Sequence, residues 1–393
     1  MLNQDTIREA TRLTRAGQLP KPPRSFSACS AGSARRTRHR APPGCVALPG
    51  RKPPTIDAND VVEIGSTHSA RAPSAPPRRR QPLFDRAKDG SWLGMRGVKR
   101  SPPSTPDIVP VDAKFIEAAY SNPAGSLTYK LFVPSGYQGQ PLPLVVMLHG
   151  CTQSPDDFAA GTRMNFIAEE QTCFVVYPAQ RSDANQSKCW NWFRAADQQR
   201  GSGEPSLIAG ITHQVMRDYS VDPKRVYVGG LSAGAAAAAI MAVTYNDLYA
   251  AVGIHSGLAC GAATDMPSAF AAMRKGGGSG RRVTSDKPPV PTIIFHGDRD
   301  ATVHPNNGDQ VLEQVIGTTS TKKTVHRGRI PGGHDYTRTT HVDAGGRNIL
   351  EHWNIHGAAH AWSGGSPAGS YTDPRGPDAT REMLRFFLGH SLP

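Results

Sequence analysis

Gly230-Leu231-Ser232-Ala233-Gly234 sets a serine between two glycines, each two positions away. A serine hydroxyl is a poor nucleophile alone and becomes a good one when a nearby base takes its proton. The flanks give the pattern its weight. Val226, Tyr227 and Val228 are β-formers in a short apolar run, which predicts a buried strand. Ala235 to Met241 is alanine-rich and prefers helix. A serine on a sharp strand-to-helix turn stands out above the sheet, and the tight turn leaves room only for glycine at its flanks. The Ala233 N–H then lies at the helix start, free to donate to an oxyanion.

Such a serine needs a base, and the base needs an orienting carboxylate. The order expected along the chain is Ser, then Asp or Glu, then His, each on a loop after a strand. Asp300, in His296-Gly297-Asp298-Arg299-Asp300, follows the apolar run Thr292 to Phe295. Asp298 is the alternative acid, and reads as a turn-capping residue. His360 follows an alternating run, Asn348 to Ile355, and is the best-placed base. His334, His341, His352 and His356 remain alternatives among the 14 histidines. His149-Gly150-Cys151 follows another buried run, Pro143 to Leu148. A turn there can aim the Cys151 N–H beside that of Ala233, or simply close the strand. Cys189-Trp190-Asn191-Trp192-Phe193 packs three aromatics into five residues. Trp190 and Trp192 read either as a wall of the substrate site or as anchors holding a loop to the core.

The elements that must carry these residues alternate. Strands are expected at Leu127–Val133, Pro143–Leu148, Phe174–Tyr177, Val226–Val228, Ala250–Ile254, Thr292–Phe295 and Asn348–Ile355. Helices are expected at Phe158–Glu170, Ser206–Tyr219, Ala235–Met241 and Thr380–Leu388. Alternation of this kind implies an α/β fold: a mostly parallel sheet covered by helices on both faces.

Charge divides the chain. Residues 1–110 hold 20 Lys+Arg against 8 Asp+Glu, whereas 111–393 hold 25 against 24. After a short amphipathic helix expected at Thr6–Leu19, the first part is rich in Pro, Arg, Ser and Ala. It reads as a mostly disordered basic extension, 1–110, before a catalytic domain, 111–393. Its aromatics are too sparse for base stacking, so no nucleic acid partner is expected. Neither a membrane span nor a signal peptide is visible, which points to the cytoplasm. There is no C-x-x-C pair, G-x-G-x-x-G run or Walker loop, so neither metal nor cofactor is expected. Cys151, Cys173, Cys189 and Cys260 permit disulfides in an oxidising compartment, without fixing which pair. Oligomeric state is not legible.

The body resembles the esterases of the polyhydroxybutyrate (PHB) depolymerase family. The likeness runs from about Phe115 to the C-terminus. It rests on Leu148 to Gln153, Asn165 to Pro178, Cys189 to Phe193, Gly203-Glu204-Pro205, Arg225 to Gly234, His255-Ser256-Gly257, His296 to Pro305 and His360 to Gly365. The resemblance implies an α/β-hydrolase fold and a serine esterase acting through an acyl-enzyme. It makes Ser232 the nucleophile, Asp300 the acid and His360 the base, with oxyanion donors at Cys151 and Ala233. It also implies a disulfide at Cys151, with Cys189 as the expected partner. The implied substrate is an oligo- or poly(3-hydroxybutyrate) ester, with feruloyl or acetylxylan esters as the alternative. A non-catalytic binding protein using the basic arm is the rival from another class. Ala235 stands where many members have a second Gly. Many members begin with a signal peptide, so the resemblance points outside the cell where the chain's own start does not. Many secreted members also carry a polymer-binding domain after the catalytic one. The sequence shows none, which implies amorphous rather than crystalline polymer.

Overall fold

Strand β3, Leu142–Leu148, is buried at all seven positions. Its neighbours explain why. The computed structural model describes residues 107–277, 289–317 and 319–393. Among these, β1 (Lys114–Asn122), β2 (Gly125–Val133), β3, β4 (Phe174–Pro178), β5 (Val221–Leu231), β6 (Ala251–His255), β7 (Thr292–Gly297), β8 (Lys322–Arg329), β9 (Asp335–Val342) and β10 (Asn348–His356) form one sheet. The strand order is β1-β2-β4-β3-β5-β6-β7-β10-β9-β8. The six strands from β4 to β10 in that order pair in parallel. An antiparallel hairpin closes each side.

The helices are α1 (Pro155–Thr162), α2 (Met164–Gln171), α3 (Gly203–Asp218), α4 (Ala233–Thr244), α5 (Met266–Lys275), α6 (Asn306–Ile316) and α7 (Ala379–Leu388). Side chains alternate across a strand, so a sheet covered on both faces sorts them into two cores. Leu144, Val146, Leu148, Val226 and Val228 pack with residues of α3, α4, α5 and α6. Val145, Met147, Tyr227, Ile293 and Phe295 pack with α1, α2 and α7. This is the α/β-hydrolase arrangement, and it brings the C-terminal ends of β3, β5, β6, β7 and β10 to one edge.

The expected helix Phe158–Glu170 is two helices. Arg163, at φ 55°, separates α1 from α2 in the left-handed region. The Thr162 hydroxyl donates to Phe158 O and accepts from the Met164 N–H across the break. Strands β1, β8 and β9 and helices α5 and α6 were not expected. Strand β8 is exposed at seven of its eight positions, so it carries no alternating apolar signal. The helix at Thr6–Leu19 and the basic extension up to residue 106 lie outside the described residues. All described residues belong to one unit, Pro102–Pro393. No helix among them is long and apolar enough to cross a membrane.

Candidate active site

Ser232 joins β5 directly to α4, at φ 57° and ψ −119°. This backbone region is costly for any residue with a side chain and persists only where the surroundings enforce it. Here the neighbours do so. The Ser232 N–H donates to His255 O at 2.9 Å, and the Ala236 N–H returns to Ser232 O at 3.0 Å. A Cβ at Gly234 would lie 2.0 Å from Leu148 O, and one at Gly230 would lie 2.6 Å from the same atom. Both glycines are therefore required by the close approach of β3. The serine keeps 9% exposure, enough to be reached from the sheet edge.

His360 and Asp300 come together from neighbouring strand ends. Asp300 lies three residues after β7, and His360 lies four after β10, its parallel neighbour. Asp300 Oδ2 meets His360 Nδ1 at 2.7 Å. Its other oxygen accepts the N–H groups of Thr302 and Val303, at 2.9 and 2.8 Å. Burial pushes this carboxyl up, but His360 and the Val303 N–H outweigh it and hold it below its ordinary range. Asp298 is placed elsewhere. It accepts from Gly357 N and meets His356 Nδ1 at 3.0 Å, closing the turn after β10. His334 pairs with Asp373, and His341 and His352 lie on β9 and β10. Of the five histidines considered, His360 is the one on Asp300.

The turn after β3 lies against the serine. A Cβ on Gly150 would be 3.6 Å from Ser232 Cβ. No acceptor among the described residues takes the N–H of Cys151 or of Ala233. Cys151 is bonded to Cys189, with Cα atoms 4.2 Å apart. The bridge fixes loop 180–202 to this turn. Trp190 corrects one expectation. It is fully buried, and its Nε1 donates to His149 O at 3.1 Å, so it anchors the loop and offers no surface to a substrate. Trp192 keeps 7% exposure and packs edge-on to Phe193.

Residues 127–327, slightly more than half of the chain, match the family model described as esterase PHB depolymerase. The chain belongs to this family. Poly(3-hydroxyalkanoate) depolymerase C of Paucimonas lemoignei is 35% identical over 250 residues, 61% of this chain and 59% of that one. Probable acetylxylan esterase A of Neosartorya fischeri is 27% identical over 213 residues, 50% of this chain and 56% of its own. The chain thus spans less than two thirds of either relative. The solved acetyl xylan esterase from Aspergillus awamori shares the fold, with a TM-score of 0.55 at 19% identity over 70% of this chain and 99% of that chain.

Two residues of this PHB depolymerase family chain had gone without a role. His255 is buried at the end of β6, between the rings of Phe295 and Trp362. Its carbonyl holds Ser232, and its Nε2 accepts the Ser363 N–H at 3.0 Å, three residues beyond His360. One residue thus ties the serine turn to the histidine loop. Burial, with His296 and His360 nearby, pushes it down to about 3, so the ring stays neutral and Nε2 remains an acceptor. Glu204 is the other, a buried carboxylate at the start of α3. Both sat inside segments that carry the family likeness; His255 ends β6 and Glu204 opens α3, and in each case burial and hydrogen bonding, not position in the sequence, give the role.

Proposed function

We propose that this protein is a serine esterase that hydrolyses carboxylic esters through an acyl-enzyme. Ser232 Oγ attacks the ester carbonyl while His360 Nε2 takes its proton. Asp300 holds Nδ1–H and stabilises the imidazolium that forms. The N–H groups of Cys151 and Ala233 receive the oxyanion. The imidazolium returns the proton to the leaving alcohol. Water, deprotonated by His360, then releases the acid and restores the serine. These steps call for no metal or cofactor. The observation that carries the reading is the 2.7 Å contact of His360 Nδ1 with a buried Asp300.

The substrate we favour is a short 3-hydroxyacid oligoester or amorphous PHB. The relative from Paucimonas lemoignei, a poly(3-hydroxyalkanoate) depolymerase by name, supports it. An acetyl or feruloyl ester on plant polysaccharide is the second reading, supported by the acetylxylan esterase relative. The Cys151–Cys189 bridge supports maturation in an oxidising compartment. Amorphous PHB, acetylated xylan and methyl ferulate, offered side by side, test the choice. Release of 3-hydroxybutyrate units at the highest kcat/KM is expected. Faster release of acetate or ferulate would favour the second reading, and no turnover of any ester would favour a non-catalytic role.

A further inference from the structure

Loop 180–202, which backs the turn at Cys151, is held from below by one carboxylate. Glu204, in the first turn of α3, is only 9% exposed. A charge so placed needs donors on its oxygens. Asn191 supplies two: its N–H reaches Oε2 at 2.7 Å and its Nδ2 reaches Oε1 at 2.6 Å. Gln180 Nε2 supplies a third to Oε1.

Those two residues bracket the groups that fix the turn. The Gln180 N–H donates to His149 Nε2 at 3.1 Å, and His149 Nδ1–H donates in turn to Gly150 O at 2.8 Å. Gln180 Nε2 also donates to Cys189 O at 3.0 Å, and Cys189 is bonded to Cys151. Trp190, next to Asn191, holds His149 O. Paths from the carboxylate therefore reach His149, Gly150 and Cys151, beside others that tie Asn185 and Arg194 within the same loop. We propose that Glu204 is a positioning residue: through Gln180 and Asn191 its carboxylate holds the Cys151 N–H in place beside Ser232. This rests on the esterase reading above.

The chemistry of the contacts makes the ionised form the working one. All three groups facing the two oxygens are N–H donors. A proton on the carboxyl would weaken all three, because a neutral acid accepts less strongly than a carboxylate. Burial, with Asp197 alongside, pushes the carboxyl up to about 7 against the pull of Asn191 and Gln180. A cavity of about 390 Å³ reaches it, open to solvent between β2 and the loop. Arg181, Asp183, Arg194 and Asp197 are the charged groups on that cavity beside Glu204, while β2 brings only Gly125, Ser126 and Leu127. Arg181 is occupied by Asp183, and Asp197 accepts the Glu204 N–H.

Glu204→Gln keeps the shape and turns an amide NH₂ toward the donors. With p-nitrophenyl butyrate its kcat should fall by at least about tenfold, with KM within about twofold, because only transition-state stabilisation is lost. The wild-type fall in kcat on acidification should include an ionisation near neutrality that the variant lacks. Asn191→Ala, which keeps the backbone N–H, is the milder variant should the first not fold. It should lower kcat by about three- to tenfold at unchanged KM. Folded variants with wild-type kcat and pH profile would overturn the inference. So would a loss that falls on KM alone. Wild-type protein that fails to take a phosphonate on Ser232 would instead overturn the esterase reading beneath it.

Discussion

The two sides of Ser232 are built differently. On the β7–β10 side, Asp300 and His360 sit on short loops after adjacent parallel strands, and the buried carboxyl is held below its ordinary range. On the β3–β4 side, the Cys151 turn is backed by a long loop that needs a disulfide, a buried histidine and a carboxyl pushed up to about 7. Both sides start from strand ends, since Cys151 lies three residues after β3 as Asp300 does after β7. The difference lies in what backs them. Asp300 and His360 hold each other, whereas the Cys151 turn rests on a long loop with covalent and polar ties of its own. The first side should be insensitive to loop chemistry and the second dependent on it.

The largest effect should come from the residue between the two sides. Ser232→Ala should lower kcat by roughly 10⁴-fold or more, since removing one member disables the whole unit, while circular dichroism stays native. On the β7–β10 side, Asp300→Asn should cost roughly 10³- to 10⁴-fold in kcat by favouring the wrong histidine tautomer. Asp298→Asn, which touches only the turn at Gly357 and His356, should leave kcat close to wild type. The reverse ranking would move the acid.

On the β3–β4 side, Cys189→Ser opens a loop with a sequence separation of 38. Urea unfolding should show a loss of about 3–4 kcal/mol in the chain-entropy account, with a smaller fall in kcat than Asp300→Asn. Unchanged stability would show that the loop's hydrogen bonds suffice. Acid should act on stability through the same buried groups. Burial pushes His149 down to about 4 and His255 down to about 3, both from 6.5. Both bind protons less readily when folded, so stability should be lost as pH falls from about 6.5 toward 4. Glu204 acts in the opposite sense. Its raised value favours the folded state below about 4.5, and that contribution is lost as pH rises through about 7. Melting temperatures across this range, with and without Glu204→Gln, separate the two.

The same asymmetry decides what could be read from the sequence. Strand β5, the Gly-Ser-Gly turn and helix α4 were legible because propensity, periodicity and turn chemistry agree there. Asp300 and His360 were legible as an acid and a base on loops after two strands, in the chain order Ser, Asp, His. Asp298 could be set aside only in part, since sequence does not show which carboxylate faces the imidazole. The role of Trp190 stayed open between two readings because an aromatic in a loop looks the same whether it lines a site or plugs a core. Glu204 and His255 were missed because burial, not spacing, gives them their roles. Strands β1 and β8 were missed because edge strands are too exposed to carry an apolar pattern, and β9 because its half-buried residues are mostly polar.

Labelling with a fluorophosphonate, followed by peptide mapping, tests the central claim most directly. The account predicts one adduct, on Ser232, formed rapidly by the wild type and far more slowly by Asp300→Asn. An adduct on any other residue, or none on native protein, would contradict it.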